Sequence, residues 1–315
     1  MLCRPIVPLK MPWISPMDRT LLLIEKLSWL LPLLLLFGLL VLMLATLQHV
    51  LAEIRFRTPS PALTVCALRS PGESTRHRIE RAHKEMAAFA VAIGAIPLAL
   101  YAALLSYVHF LHLDLSWMDT AYFAAMSASF ILYGSNKIKR LKARSRRLCT
   151  IYEGQVAVAQ EVNRLMPDGY RVYHDFPTDR FQIDHIIVGA SGVFAVTTKV
   201  LPQSSRFRDK VLMLDGERVL LGSRLRDERT LPYAAFQASW LAKWLLTATG
   251  EALNVHPVLT VPGWRMKMLR KPVVLAVEPS AIGDVVRRCA GPRLSDKTIR
   301  LVSEQVEAKC RTPRA

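Results

Sequence analysis

The sequence lacks closely spaced cysteines. Its five cysteines, Cys3, Cys66, Cys149, Cys289 and Cys310, are scattered along the chain, and no C-x-x-C occurs. This gives no sequence case for zinc, and single cysteines are typical of a reducing compartment rather than of a disulfide framework. The P-loop, G-x-G-x-x-G and G-x-S-x-G motifs are also missing, which removes support for a nucleotide hydrolase or a serine hydrolase.

Charged residues are absent from three long stretches of the first half. Residues 27–52 and 86–113, of 26 and 28 residues, contain no Asp, Glu, Lys or Arg, and 120–136 adds 17 more uncharged residues. Because about 20 apolar residues cross a bilayer, we expect transmembrane helices at 27–48, 86–111 and 117–136. A cleaved signal peptide is the alternative for the first, and a buried or interfacial helix is the alternative for the third.

Basic residues indicate how these spans are oriented. The predicted juxtamembrane linker 137–149 contains seven basic residues before Cys149 and no acid: Lys137, Lys139, Arg140, Lys142, Arg144, Arg146 and Arg147. The positive-inside rule places this linker and the basic connection 49–85 in the cytoplasm, after an N-terminal segment 1–26. We therefore expect a multi-pass protein of the cell inner membrane with a cytoplasmic C-terminal domain. The linker is also expected to touch anionic lipid, at about 1 kcal/mol per charge.

The net charge of +17 is unevenly distributed. After Cys149 there are 24 Lys and Arg against 17 Asp and Glu, a net +7, so the other +10 lies in the membrane half. Membrane topology and contact with the lipid bilayer therefore explain most of the basicity, and nucleic acid is not needed to explain it.

The second half has the pattern of a globular α/β domain. We predict helices at 153–166, 233–249, 281–289 and 296–309, and strands at 170–176, 182–188, 193–200, 211–214, 218–221, 258–261 and 272–277. This order fits a mixed central sheet flanked by helices. The domain is expected to cover residues 150–250, with 251–315 as its C-terminal α/β extension.

Two charged residues lie in otherwise apolar strands of this half. Asp184 is expected to share a strand face with Ile186 and Val188, and Thr197 to share one with Lys199, because side chains alternate along a strand. A buried carboxylate and ammonium need a partner or a ligand. The pattern therefore indicates either a structural Asp184–Lys199 ion pair or a metal-dependent phosphodiester site. His185, on the opposite face, is expected to be a packed core histidine.

The sequence here resembles the nuclease-related domain (NERD) family. The resemblance lies in Tyr170 to Pro177, in Gln182-Ile183-Asp184-His185 and in Gly192 to Val196, with support from the helical segments 155–160 and 236–238. It implies a restriction-endonuclease-like fold with an Asp…Glu-x-Lys signature, which uses Mg²⁺ as cofactor and nucleic acid as partner. In this chain Asp184 would be the first metal ligand, the Thr198 carbonyl another, and Lys199 the catalytic lysine.

The family pattern is incomplete in this chain. Thr197 stands where the family has the Glu of Glu-x-Lys, and Gln155 stands close to a further family acid. Asp175 and Asp179 are expected to be solvated near the end of the preceding strand, and so do not replace them. One carboxylate does not forbid Mg²⁺ but should weaken its binding greatly. We therefore expect a nuclease relative with weakened or lost activity.

Two other functions remain open, an active Mg²⁺-dependent nuclease that uses Asp184 and Lys199, and a non-enzymatic, membrane-tethered module that binds a protein partner of unknown identity. DNA or RNA would be contacted by the basic cluster Arg206, Arg208 and Lys210, and by Gln237 in the family's Gln-Ala helix. A solvated loop is the alternative for the basic cluster, and the one that its sequence favours. Trp264 with its neighbouring cations suits either nucleic acid or a membrane surface.

Overall fold

The structure is a computed structural model that describes residues 68–110, 116–201, 210–216, 218–221, 225–270 and 272–311, with seven more residues between 37 and 48. The chain divides into two compact units, one of Met1–Thr58 with Lys84–Leu141 and the other of Pro59–His83 with Lys142–Ala315. The predicted N-terminal segment 1–26 lies outside the described residues, and the predicted span 27–48 lies almost entirely outside them.

Helix α1 spans Glu73–Phe110 and begins earlier than the predicted second span. Just before its start, the backbone N–H and the hydroxyl of Ser70 both donate to the Glu73 carboxylate, at 3.1 and 3.2 Å, and the first of these bonds is the glutamate half of a capping box. The end of the predicted connection 49–85 is therefore helical. Among the described residues, Glu73–Val108 is the one helix that is long and apolar enough to cross a membrane.

Helix α2 spans Trp117–Asn163 as one helix of 47 residues. It joins the predicted third span, the predicted basic linker 137–149 and most of the predicted helix 153–166. The linker is helical because Lys, Arg, Leu and Ala are good helix formers, and no proline interrupts the segment.

The first unit is held together by apolar contacts of α1 and α2. Met86 and Ala90 pack with Leu141, and the Tyr101 and Phe123 rings lie 4.9 Å apart.

The second unit contains a five-stranded mixed sheet in the order β1-β2-β3-β7-β9. Its strands are β1 (Arg171–Pro177), β2 (Gln182–Gly189), β3 (Gly192–Thr198), β7 (Val255–Thr260) and β9 (Leu275–Val277). The pairs β1/β2 and β2/β3 are antiparallel, whereas β3/β7 and β7/β9 are parallel. The mixed sheet of the prediction is confirmed, with strand ends shifted by up to three residues.

A second, smaller sheet has the strand order β6-β5-β4-β8. In the sequence, its strands fall between β3 and β9. It is formed by β4 (Val211–Asp215), β5 (Arg218–Leu221), β6 (Leu225–Asp227) and β8 (Arg265–Arg270). The sequence predicts β4 and β5 but not β6 or β8. Strand β8 was missed because its alternation of Met with Arg and Lys resembles a charged surface loop more than a strand.

Helices cover both faces of the main sheet. Among the residues that the structure describes, the second unit also contains the α-helices α3 (Thr230–Thr249), α4 (Ile282–Arg287) and α5 (Asp296–Cys310). Helices α3 and α5 pack their apolar side chains on one face, against residues such as Ile186 and Ala195. Helices α2 and α4 pack on the other face, against Ile187 and Phe194. This is the layered α/β architecture expected from the order of elements.

The regular alternation of β2 is interrupted at Asp184. Ile183, rather than Asp184, packs in the same cluster as Ile186 and Val188, so the expected shared face is wrong. His174 pairs with His185 and Phe176 with Ile183, which places Asp175 opposite Asp184. Asp175 has a φ of 51°, a backbone conformation that a non-glycine residue seldom adopts, and this distortion breaks the ladder between the two aspartates.

Gly154 allows α2 to approach the end of the main sheet. A Cβ at this position would overlap the Val200 side chain and lie 3.2 Å from Pro262. Replacing glycine by alanine within a helix ordinarily stabilises by about 1 kcal/mol. We predict the opposite here, a loss of about 1–3 kcal/mol from overpacking, when Gly154→Ala is unfolded in denaturant.

The matched control is Gly154→Ala combined with Val200→Ala, which removes the overlapping methyl groups. This double variant should be less destabilised than the sum of its two single variants. Full additivity would show that the close approach of α2 is not the cause.

Candidate functional site

Asp184 lies at the centre of a polar cluster where α2 meets the main sheet. The Gln155 amide nitrogen donates to its Oδ1 at 2.7 Å, and the Thr198 backbone N–H donates to its Oδ2 at 2.7 Å. Both carboxylate oxygens are therefore engaged by donors of the protein itself. Charge-assisted bonds of this length are among the stronger hydrogen bonds in proteins.

The orientation of the Gln155 amide follows from its neighbour Asp184, because the Thr75 hydroxyl can either donate or accept. Its Oε1 accepts from the Thr75 hydroxyl at 2.9 Å, while its Nε2 faces the Asp184 carboxylate. An ionised carboxylate only accepts hydrogen bonds, so the amide nitrogen, and not the oxygen, must face Asp184. Gln155 and Thr75 are both buried, and in this arrangement the side chain of residue 155 turns its nitrogen, not its oxygen, towards Asp184.

The pKa of Asp184 reflects a competition between burial and these hydrogen bonds. Burial raises the pKa of the carboxyl to about 6, and the nearby charge of Asp175 acts in the same direction. The Thr198 N–H and the Gln155 amide oppose this rise, because they stabilise the ionised form.

Asp175 is buried and bound by residues about a hundred positions earlier in the chain. Its Oδ2 accepts from the Ser74 hydroxyl at 2.6 Å, from the Ser74 backbone N–H at 3.1 Å and from Arg69 Nη1 at 3.0 Å. Ser74 lies in the first turn of α1, where backbone N–H groups have no partner within the helix. The expectation that Asp175 is solvated is therefore wrong, since only 3% of this residue is exposed.

The pKa of Asp175 is affected by a neighbouring positive charge as well as by burial and hydrogen bonds. Burial raises the pKa of Asp175, and the Ser74 hydrogen bonds and the Arg69 charge lower it in part. Asp175 is the functional candidate that sequence reasoning missed. Its position opposite Asp184 is readable from the strand register, but its burial depends on contacts with Arg69 and Ser74, which no local pattern indicates.

Thr197 and Gln237 form a second hydrogen-bonded chain next to Asp184. The Thr197 hydroxyl donates to Gln237 Oε1 at 2.6 Å, and Gln237 Nε2 donates to the Gln182 carbonyl at 2.8 Å. Gln237 is buried in α3, so it links the helix to the sheet. The role of Gln237 in nucleic-acid binding remains a prediction.

Lys199 does not pair with Asp184. Its Nζ lies 3.5 Å from Asp227 Oδ2, so the predicted Asp184–Lys199 ion pair is wrong. Asp227 also accepts from the backbone N–H groups of Arg229 and Thr230 and from the Thr230 hydroxyl, at the start of α3.

Burial acts to raise the pKa of Asp227, but hydrogen bonds from Thr230 and Arg229 and the charge of Lys199 outweigh it, so the pKa falls below its ordinary value. Asp227 therefore stays ionised and remains a partner for Lys199.

His185 is buried beside a second histidine. Its Nδ1 lies 2.9 Å from His174 Nδ1, and His174 Nε2 lies 3.1 Å from Asn163 Oδ1. Burial lowers the pKa of His174 to about 4 and lowers that of His185 well below its usual value. Both rings are therefore neutral at physiological pH, in agreement with the expected packed histidine.

The predicted basic cluster is described only in part. Arg206 and Arg208 lie outside the described residues, while the exposed Lys210 lines a groove together with Glu161 and Glu278. Trp264 is 3% exposed and packs in the core of the smaller sheet. Trp264 is therefore not a surface ring, which is a correction to both readings of this segment.

The residues at Asp184 do not fit a divalent cation. Mg²⁺ needs oxygen ligands, yet an amide nitrogen faces Asp184 Oδ1 and a backbone N–H faces Oδ2. The second carboxylate, Asp175, is engaged by Arg69 and Ser74. Within the described ranges, no group of three or more His, Cys, Asp and Glu side chains could hold a metal ion.

Comparison with known proteins identifies one family. Residues 151–262 match the family model of the nuclease-related domain, and the predicted resemblance is confirmed. No curated protein and no solved structure matches the chain.

The raised pKa of Asp184 predicts a pH-dependent contribution to stability. The carboxyl has a pKa of about 6 in the folded protein, above the ordinary 3.8, so the folded state favours the protonated form. The resulting stabilisation is fully present below pH 3.8 and is lost as the pH rises through 6. The stability of the parent minus that of Asp184→Asn should therefore fall by about 3 kcal/mol between pH 3.5 and pH 7.5.

Denaturant unfolding of the full chain in detergent, followed by tryptophan fluorescence, measures this difference. Asp179→Asn is the matched control, because Asp179 is exposed, and its difference from the parent should change far less with pH. If the stability difference between the parent and Asp184→Asn does not change with pH, burial does not raise the pKa of Asp184 as stated.

Proposed function

Residues 151–262 are a nuclease-related domain, and we propose that this domain is a nucleic-acid-directed nuclease relative whose metal-dependent phosphodiesterase activity is weakened or lost. The observation that carries the proposal is the 2.7 Å hydrogen bond from the Gln155 amide to Asp184. A glutamate at position 155 would repel Asp184 unless a cation lay between them. Glutamine instead binds Asp184 directly, so the two side chains hold together without a metal.

Two further observations support weakened catalysis. Thr197, at the position of the family glutamate, is buried and donates its hydroxyl to Gln237. Lys199 pairs with Asp227 rather than facing Asp184. The lysine would have to leave this ion pair before it could assist an attacking water at Asp184. Such a partly exposed ion pair stabilises by about 1 kcal/mol or less. The two missing acids should therefore reduce catalysis more than the position of the lysine does.

We also propose that the domain is anchored to the cell inner membrane and lies on its cytoplasmic side. Helix α1 supports an anchor by its length and composition. The seven basic residues from Lys137 to Arg147 support cytoplasmic placement by their charge. The multi-pass arrangement rests on the uncharged stretches of the sequence.

An active Mg²⁺-dependent nuclease that uses Asp184 and Lys199 is the second candidate. It is favoured by one observation, the buried carboxylate of Asp175 opposite Asp184. Two carboxylates suffice for some Mg²⁺ sites. This candidate requires that Asp175 exchange Arg69 and Ser74 for the cation.

The decisive experiment restores the missing acids in the full chain. The full chain is needed because Thr75, Ser74 and Arg69 complete the site. We predict that the parent nicks plasmid DNA no faster than Asp184→Ala across a titration of Mg²⁺ or Mn²⁺. The variant Gln155→Glu, Thr197→Glu should cleave at least about tenfold faster, equivalent to about 1.4 kcal/mol in the barrier.

Thr197→Gln is the matched control, because glutamine has the size of glutamate without its charge. It should leave cleavage at the level of the parent. Metal-dependent cleavage by the parent that is as fast as that of Gln155→Glu, Thr197→Glu, and that Asp184→Ala abolishes, would overturn the proposal in favour of the active nuclease.

A further inference from the structure

The described surface of the second unit has an unusual group of aromatic side chains beside the candidate site. Phe181, Tyr233, Phe236 and Trp240, called here the aromatic platform, lie on the β1–β2 connection and on α3. Phe181 contacts all three others, with ring centroids 6.4, 5.4 and 5.4 Å away. Tyr233 and Phe236 stack at 6.4 Å with an interplanar angle of 27°.

The outer rings of this platform are open to solvent. Phe236 is 52% exposed and Tyr233 is 44% exposed. Both residues lie in α3, whose buried positions include Leu241 and Leu245 on the core side. Single exposed apolar residues need no explanation, but contiguous ones mark interaction sites.

The platform is anchored firmly in the core. The Phe176 ring, which is fully buried, packs edge-on against Trp240 at 6.4 Å and against Trp244 at 5.1 Å. A rigid ring loses little conformational entropy when a flat ligand stacks on it, so anchoring favours binding.

The platform is also continuous with the candidate site. Burial and the negative charge of Asp184 raise the pKa of Tyr233, whereas a hydrogen bond with Gln237 and the positive charge of Arg78 lower it. Geometry supports the same link, because the Thr197 hydroxyl beside Asp184 donates to Gln237 Oε1 at 2.6 Å. Gln237 follows Phe236 directly in α3.

Two cations flank the rings. The exposed Arg78 reaches the side chain of Gln182 at 3.4 Å, and the exposed Arg180 directly precedes Phe181. Open ring faces next to arginines match the bases and the phosphates of a nucleic acid. In a duplex the base faces are covered by their neighbours, so only unpaired bases can stack on protein rings.

We propose that the aromatic platform binds single-stranded nucleic acid by stacking unpaired bases on Tyr233 and Phe236, with Arg78 and Arg180 contacting the phosphates. This inference rests on the proposed function and deepens it, since it gives the substrate class as a single strand. The strand would pass over the rings on its way to Asp184.

The test is fluorescence anisotropy of labelled oligonucleotides with the full chain in detergent micelles. Single-stranded DNA and RNA of about 20 nucleotides are compared with the matching duplex, because an OB-fold-sized site takes about 4–16 nucleotides. The parent should bind single strands at least about tenfold more tightly than the duplex. Tyr233→Leu with Phe236→Leu should lose at least about tenfold in affinity for single strands, because leucine keeps apolar bulk but has no ring face.

Two variants show whether the rings themselves act. Tyr233→Phe with Phe236→Tyr keeps both ring faces and should retain most of the single-strand affinity that the leucine variant loses. Met268→Ala removes a side chain that is 54% exposed in the smaller sheet, and should also bind as the parent does.

Several outcomes would overturn the inference. If the leucine variant binds single strands as tightly as the parent, or if the parent binds duplex equally well, the platform does not select single strands. If the leucine changes reduce only the flotation of the protein with vesicles of anionic phospholipid, the platform is a membrane contact. A parent that binds neither strand form would overturn the proposed function together with this inference, whereas the other results leave the proposed function intact.

Discussion

The hydrogen bond between the Gln155 amide and the Asp184 carboxylate determines the character of the candidate site. Two acids at these positions would need a cation between them, because like charges at this separation repel strongly in a buried setting. An amide and an acid need none, and here they meet at 2.7 Å. With an amide nitrogen at residue 155 in place of a carboxylate oxygen, the two side chains hydrogen-bond to each other directly and need no cation between them.

The fold holds this closed arrangement from several directions. Gly154 brings α2 close to the sheet, so that Gln155 reaches Asp184. The hydroxyl of Thr75, at the start of α1, donates a hydrogen bond to the Gln155 amide oxygen. The hydroxyl of the neighbouring Ser74 donates to the Asp175 carboxylate. The beginning of α1 is therefore a structural part of the second unit, although the same helix is long and apolar enough to cross a membrane.

The sequence predicted the features that depend on local patterns and missed those that depend on distant contacts. Alternating apolar residues located the strands around Asp184, and the family motif located the site. The burial of Asp175 could not be predicted, because its partners Arg69 and Ser74 lie 106 and 101 residues away. The partner of Lys199 was wrong for the same reason, since strand spacing indicates which side chains are neighbours but not which of several carboxylates a flexible lysine reaches.

The central claim is that Gln155 occupies the side of Asp184 where a cation would otherwise bind. Diffraction from crystals of the full chain soaked in Mn²⁺, recorded for anomalous scattering, tests this directly. The account predicts no manganese peak within coordination distance of Asp184, with Gln155 Nε2 still within hydrogen-bond distance of Oδ1. A manganese peak between Asp184 and Asp175, with the Gln155 side chain displaced, would contradict it.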